Sequence, residues 1–405
     1  MLKSHPLRIG IVGGGIVGLA TALKLQEAFS AAEIVVFEKE KKPGLHQSTH
    51  NSGVLHAGLY YKPGSLKARL AVEGLREMTQ FCEQHKIAHE CCGKIVIAVD
   101  EREVPRLQNL LERGTANGLK NLEWLSKDRI RDFEPHAAGV AALRVPQEGI
   151  VDYAAVIQKI AELFQRAGGQ LKINSKVIRI VDENSYWIVE TKTGEERCDF
   201  LINCAGLQSD LVGALAGEKR KVRIIPFRGE YFKLKSSSQQ LVRNLIYPVP
   251  DPTFPFLGVH FTRMIHGGVE AGPNAVLALA REGYQKTRVN LLELLDAISY
   301  RGLWKFMGQH KKMCWEEMKR SFSKQLFTTA LQRLVPELEE SDLEPGGAGV
   351  RAQAMNDQGE LLQDFCIIER PHALHLLNAP SPGATASFAI GSEITKMVKK
   401  GMQLD

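Results

Sequence analysis

The chain has 405 residues, 44% of them hydrophobic and 24% charged, an ordinary balance for a folded protein and a length that calls for two domains rather than one core. Its net charge of +6, with no dense Lys/Arg block interleaved with aromatics, argues against nucleic acid and leaves a mild preference for anionic partners. The seven cysteines are odd in number and form no C-x-x-C pair, which argues against a disulfide framework or a zinc site and fits a reducing compartment.

The first residues run almost directly into an apolar strand, leaving no room for a signal peptide, and no apolar run reaches membrane-spanning length. The expected location is cytoplasmic, with any membrane contact peripheral, at the inner face. Arg8 to Val12 is a short β-branched run, as a buried parallel strand would be. Gly13, Gly15 and Gly18, with Ile16 and Val17 between, give a G-x-G-x-x-G turn. Helical apolar spacing follows to Phe29, then a second apolar run from Ile34 to Phe37 ending in Glu38. Glu38 lies 38 − 18 = 20 residues past the last glycine, where a ribose-binding carboxylate belongs. Strand, glycine turn, helix, strand and acid together predict a dinucleotide site with its pyrophosphate on the helix N-terminus.

Residues 46–62 are polar, small and rich in histidine, without helical or strand periodicity, as functional loops often are. His46, His50 and His56 lack the spacing of an H-E-x-x-H metal frame, so no metal is expected. An amphipathic helix is predicted over 65–84, a charged helix over 103–118 and a further helix over 153–166, with strands over 93–99, 171–181, 186–190, 226–234, 256–263 and 267–271. Phe200 to Gln208 is an apolar strand running into a small-residue turn. Residues 281–325 read as helical and carry Arg301, Lys305, Lys311, Lys312, Lys319 and Arg320. The solvated-face reading of that block is preferred to a membrane- or partner-docking surface. Nucleotide-type segments alternate with strand-rich ones. The expected division is therefore a discontinuous dinucleotide domain (1–60, 150–210 and 345–405) with a substrate domain of 61–149 and 211–344 inserted through it.

The glycine motif with Glu38, the NCAG turn at Asn203–Gly206 and a late GVRAQ resemble the FAD-dependent D-amino-acid oxidase and glycine oxidase superfamily. HNSGVLHAGLYYKPGSLKA, PFRGEYF, YPVPDP, PFLGVHFTRMIHGGVEAGPNAVLA and NAPSPGATAS narrow the resemblance to the L-2-hydroxyglutarate dehydrogenase/oxidase family, over essentially the whole chain. Thr49 and Gly383 depart from the family pattern, each by a small residue. The resemblance implies an α/β fold, in which an FAD-binding Rossmann-like (GR2, D-amino-acid oxidase-like) domain carries an interleaved α+β substrate domain on a mixed or antiparallel sheet. It implies oxidation of L-2-hydroxyglutarate to 2-oxoglutarate, with hydride passing from C2 to flavin N5 and electrons going on to a quinone or oxygen. A glycine oxidase-like amino-acid or amine oxidase, or another 2-hydroxy acid oxidase, is the alternative. A flavin protein that docks or senses without turnover is a further one.

On that reading Gly13, Gly15, Ile16, Val17 and Gly18 hold the pyrophosphate, and Glu38 and Lys39 the adenosine side. Ser52 and Gly53 approach the flavin, Val177 the adenine, Ala205 and Gly206 the dinucleotide, and Pro382, Gly383, Ala384 and Thr385 the flavin end. Nothing supports covalent flavin attachment at Cys204 or Cys366. A hydroxy acid needs a base, and histidine titrates in the right range; His56 is the first candidate and His260 the second. Arg351 in GVRAQ resembles the superfamily's carboxylate clamp, a role suited to a planar guanidinium. A second carboxylate needs a second cation, for which Lys62, Arg228 and Arg263 stand unranked. Tyr61, Tyr231 and Asn274 are expected around the substrate.

Overall fold

The computed structural model describes residues 6–252 and 254–402. A six-stranded sheet forms the first layer. Its strands run in the order Cys366–Arg370, Ala373–Asn378, Phe200–Asn203, Arg8–Val12, Glu33–Phe37, Gln170–Lys172. All pairs are parallel except the outer one, where Cys366–Arg370 runs antiparallel. The central strand is buried along nearly its whole length, which explains its continuous apolar run. Helix Ile16–Ala28 follows it and is buried on most of its surface, because helix Tyr153–Arg166 and helix Ser387–Gly401 both pack on it. At Gly391 a Cβ would come within 2.9 Å of Ala20 O, so the last helix approaches the first almost backbone to backbone. A small antiparallel sheet of Val177–Asp182, Trp187–Thr191 and Gly194–Cys198 covers part of the domain.

The second layer is a long sheet, antiparallel except where Leu245–Pro248 runs parallel to Lys94–Ala98. Its longest pairing joins Val222–Leu234 to Leu343–Asn356, with Arg351 opposite Phe227. The Lys94–Ala98 strand is buried at every position. It lies between helix Val104–Ala116 on one face and an apolar cluster of Leu241, Ile246 and Phe261 on the other. Residues 149–151 pair with both Val54–Leu55 and His89–Glu90 in a three-stranded ribbon that links the two layers.

The tertiary contacts draw the domain boundaries differently from the sequence. Helix Leu66–His85, expected in the substrate domain, buries Leu70, Met78 and Cys82 in the dinucleotide-domain core. Leu343–Asn356, expected to begin the last dinucleotide segment, is a strand of the substrate sheet. The helical block also differs. Residues 281–290 are turns, and four short helices follow: Leu291–Ile298, Arg301–Gln309, Lys311–Phe322 and Lys324–Gln332. Arg281 is held in the interior by Asp210, with Nη1 2.5 Å from Oδ1, and this draws the chain inward ahead of the helices.

Candidate active site

The glycine turn is closed by contacts that admit no side chain. Gly13 has φ +110°, and a Cβ there would lie 2.5 Å from Cys204 O; one on Gly18 would lie 2.0 Å from Gly13 O. Glu38 is buried and accepts from Gly14 N (2.9 Å) and Glu40 N (2.9 Å), so the acid at the strand end is fastened to the turn it faces. Ser48 Oγ accepts from Ile16 N at 3.0 Å and thus lies over the helix N-terminus. A pyrophosphate fits here: a helix N-terminus, a side-chain-free turn and a carboxylate at ribose distance in sequence converge on one wall.

That wall belongs to a cavity of about 1260 Å³ that runs between the two layers. Gly13, Gly15, Ile16, Val17, Glu38, Lys39, Ser52, Val177, Ala205, Gly206 and Pro382 to Thr385 all line it, as do His56, Tyr61, Tyr231, His260 and Arg351. Gly18 and Gly53 stand behind the lining. Gly18 sets the close turn, and Gly53 (φ +67°) accepts from Val151 N at 2.8 Å and anchors the connecting ribbon. Thr385 does more than offer a small surface. Its Oγ1 accepts from His56 N (3.2 Å) and lies 2.7 Å from Tyr153 Oη, which ties the C-terminal loop to the histidine.

The three loop histidines part company. His46 and His50 stack on Tyr284. His46 also belongs to a cluster with Glu40 and Glu282, and Lys39 Nζ reaches all three, at 2.9 Å from both His46 and Glu282. The lysine ammonium is the cation of that cluster. His56 lies apart, with Nδ1 3.4 Å from Glu148 Oε2; Glu148 in turn meets Lys94 Nζ at 2.6 Å, and both of the latter side chains are wholly buried. Neither Glu148 nor Lys94 stood out in the sequence. Lys94 sits in an otherwise apolar strand, KIVIA, and that mismatch was the available signal.

His260 stacks on Tyr247 at 3.9 Å. Its Nδ1 is 2.9 Å from Gly258 O, a contact that only an Nδ1–H donor can make, so the neutral ring presents Nε2 as an acceptor. Burial, reinforced by the positive charge of Arg351, His56 and Lys94, pulls its pKa down to about 3. Arg351 Nη1 donates to Asn274 O at 3.0 Å, and no carboxylate pairs with this guanidinium among the described residues. Asn274 is thus a support, with its amide turned to Glu230 (2.8 and 3.0 Å).

The three sequence candidates for a second cation lie off the cavity. Arg228 is bound to Glu230 (3.0 Å), Arg263 to Glu90 (2.6 Å), and Lys62 is exposed. Lys67, which the sequence reading passed over as one of many charges on an amphipathic helix, does line it. Its ammonium lies 4.6 Å from the centre of the Tyr61 ring, and burial, only partly offset by Asp364, lowers its pKa to about 8. Cys204 is a buried thiol pushed up to about 12 by that burial, which makes it a poor nucleophile for flavin attachment.

Comparison with known proteins follows the geometry. The family model of FAD dependent oxidoreductases matches residues 8–397. Among solved structures, an FAD-bound L-alpha-glycerophosphate oxidase of Mycoplasma pneumoniae is similar with a TM-score of 0.79 at 22% identity, over 97% of this chain and 94% of that one. A glycine oxidase of Geobacillus kaustophilus gives 0.70 at 19% identity, over 98% and 95%. These two likenesses speak for the fold. The L-2-hydroxyglutarate dehydrogenase of Indibacter alkaliphilus is 53% identical over 96% of this chain and 98% of its own length. That of Escherichia coli K12 is 42% identical over 96% and 92%. The mitochondrial one of Bos taurus is 42% identical over 98% and 89%. The chain is an FAD-dependent oxidoreductase of this fold and belongs to the L-2-hydroxyglutarate dehydrogenase family.

Proposed function

We propose that this protein oxidises L-2-hydroxyglutarate to 2-oxoglutarate and delivers the electrons to a membrane quinone. The observation that carries the substrate assignment is that two of the cations lining the cavity, Arg351 and Lys67, share it with His56, His260, Tyr61 and Tyr231, while Lys39 is paired with Glu282, Arg106 with Asp251, Arg113 donates to Tyr60 O, and Lys176 lies beside Val177. A five-carbon diacid needs two such cations; an amino-acid oxidase needs only the first. Bound FAD supplies the hydride acceptor. Arg351 holds the carboxylate next to C2 through the N–H groups that Asn274 leaves free. Lys67 holds the distal one.

His56 takes the hydroxyl proton. His260, with its pKa near 3, binds protons too weakly to serve as the base at neutral pH and instead accepts a hydrogen bond through Nε2. The test is anaerobic titration of the purified flavoprotein. L-2-Hydroxyglutarate should bleach the flavin while the D-isomer, glycine and sarcosine do not; bleaching by the amines instead would transfer the protein to the amine oxidases.

The acceptor assignment rests on the four short helices. They expose Leu292 (80%), Trp304 (59%), Trp315 (58%) and Phe322 (81%) among Arg301, Lys311, Lys312 and Lys319. Aromatic and leucine side chains set among lysines suit the interface of an anionic bilayer. Leu292 also lines the cavity mouth, which places that surface beside the redox site. No helix among the described residues is long and apolar enough to cross a membrane. Flotation with anionic vesicles tests the contact; Trp304→Ser with Phe322→Ser should abolish it and leave dye-coupled turnover in solution unchanged. Equal flotation of the variant would remove this face from the proposal.

A further inference from the structure

We propose that Glu148 is the positioning residue of the active site: it fixes His56 with Nδ1 protonated and Nε2 toward the cavity, and Lys94 exists to keep Glu148 ionised. This rests on His56 being the proton acceptor. Glu148 Oε2 lies 3.4 Å from His56 Nδ1, an ion-pair distance that leaves this buried nitrogen without a closed hydrogen bond. Contacts of this kind commonly tighten when substrate binds. The second oxygen, Oε1, accepts from Ala57 N at 3.2 Å. One carboxylate therefore orients both the ring and the backbone that carries it.

A lone buried carboxylate would take up a proton, and a protonated one could neither hold Nδ1–H as an acceptor nor stabilise an imidazolium. Burial does push Glu148 toward protonation, but Lys94 and His56 outweigh it and hold the carboxyl down to about 2. Burial lowers the Lys94 pKa, and Glu148 offsets this only in part; the ring faces of Tyr60 (4.5 Å to its centre) and Tyr247 (4.8 Å) add to what favours the ammonium. A buried Lys–Glu pair is an expensive way to fill a core. The other titratable groups facing this pair are His260, Tyr60, Tyr61 and Tyr247. The tyrosines stay neutral because burial raises each of them, and His260 stays neutral because its pKa is low.

The experiment compares Glu148→Gln and the double variant Lys94→Met/Glu148→Gln with wild type. The double variant leaves no unpaired buried charge. Flavin content and melting temperature are measured alongside kcat, KM and the pH profile of kcat/KM. The expected result is retained flavin, KM within about threefold, and kcat lower by on the order of 10²- to 10⁴-fold, the range that general base catalysis supplies and that losing the carboxylate behind a catalytic histidine removes. The rise of kcat/KM with pH should also move to lower pH, because the imidazolium has lost its anion. Selective ¹⁵N-histidine spectra of the wild-type enzyme, with His56→Gln for assignment, read the tautomer without any core variant. Nδ1–H is expected, and Nε2–H would overturn the proposal. So would a folded double variant with wild-type kcat and an unmoved pH limb. If His56→Gln itself keeps wild-type kcat, the base assignment fails first; if it is inactive while the double variant is active, only the role of Glu148 fails.

Discussion

Replacing Arg351 by lysine keeps one positive charge in the cavity and removes the planar fork that surrounds it. Nη1 is committed to Asn274 O at 3.0 Å, so on the proposed clamp role a substrate carboxylate would have the other guanidinium N–H groups for a two-point contact. A lysine ammonium is a point donor on a differently shaped stem and retains one of those contacts. One lost charge-assisted hydrogen bond is worth about 1.5–3 kcal/mol. At about 1.4 kcal/mol per factor of ten, kcat/KM for L-2-hydroxyglutarate should fall about 10- to 150-fold, chiefly through KM. Arg351 stands on the substrate sheet, paired with the Val222–Leu234 strand, so the flavin spectrum should survive. The assay is steady-state oxidation with a dye acceptor at several substrate concentrations, with flavin occupancy measured on the same sample. A variant with full flavin and kcat/KM within twofold of wild type would refute the clamp.

Three further outcomes are expected. Lys67→Met should weaken the diacid about tenfold or more and leave L-2-hydroxyvalerate, which lacks the distal carboxylate, nearly unaffected. Because burial lowers the Lys67 pKa to about 8, the ammonium is present below that pH and lost above it, so wild-type kcat/KM for the diacid should decline as pH rises through about 8, and the variant should lack that decline. Glu38→Ala removes the acceptor of both Gly14 N and Glu40 N, so FAD should bind about tenfold or more weaker, read by flavin loss on gel filtration. Gly18→Ala places a Cβ 2.0 Å from Gly13 O, and the apoprotein should lose about 2–3 kcal/mol in urea unfolding; an unchanged midpoint would show that the turn can relax.

The sequence by itself determined the dinucleotide end of this protein. Strand, turn, helix, strand and acid are neighbours in the chain, and each is dictated by local chemistry: apolar runs for a buried parallel strand, glycines where a Cβ would strike Cys204 O or Gly13 O, an acid at the strand end. Long-range resemblance also placed Arg351, His56, His260 and the 382–385 loop in one cavity. Tertiary structure decided what charges do, because a charged residue looks the same in sequence whether it is exposed, paired or aimed at a ligand. Arg228 and Arg263 have the right chemistry, but Glu230 and Glu90 hold them elsewhere. Lys67 reads as one charge among many on a helix until that helix is laid against the cavity. Lys94 and Glu148 are 54 residues apart and meet only because the strand Lys94–Ala98 and the ribbon at 149–151 converge beneath His56. Pairing across such a distance depends on sheet order and register, which no local spacing encodes.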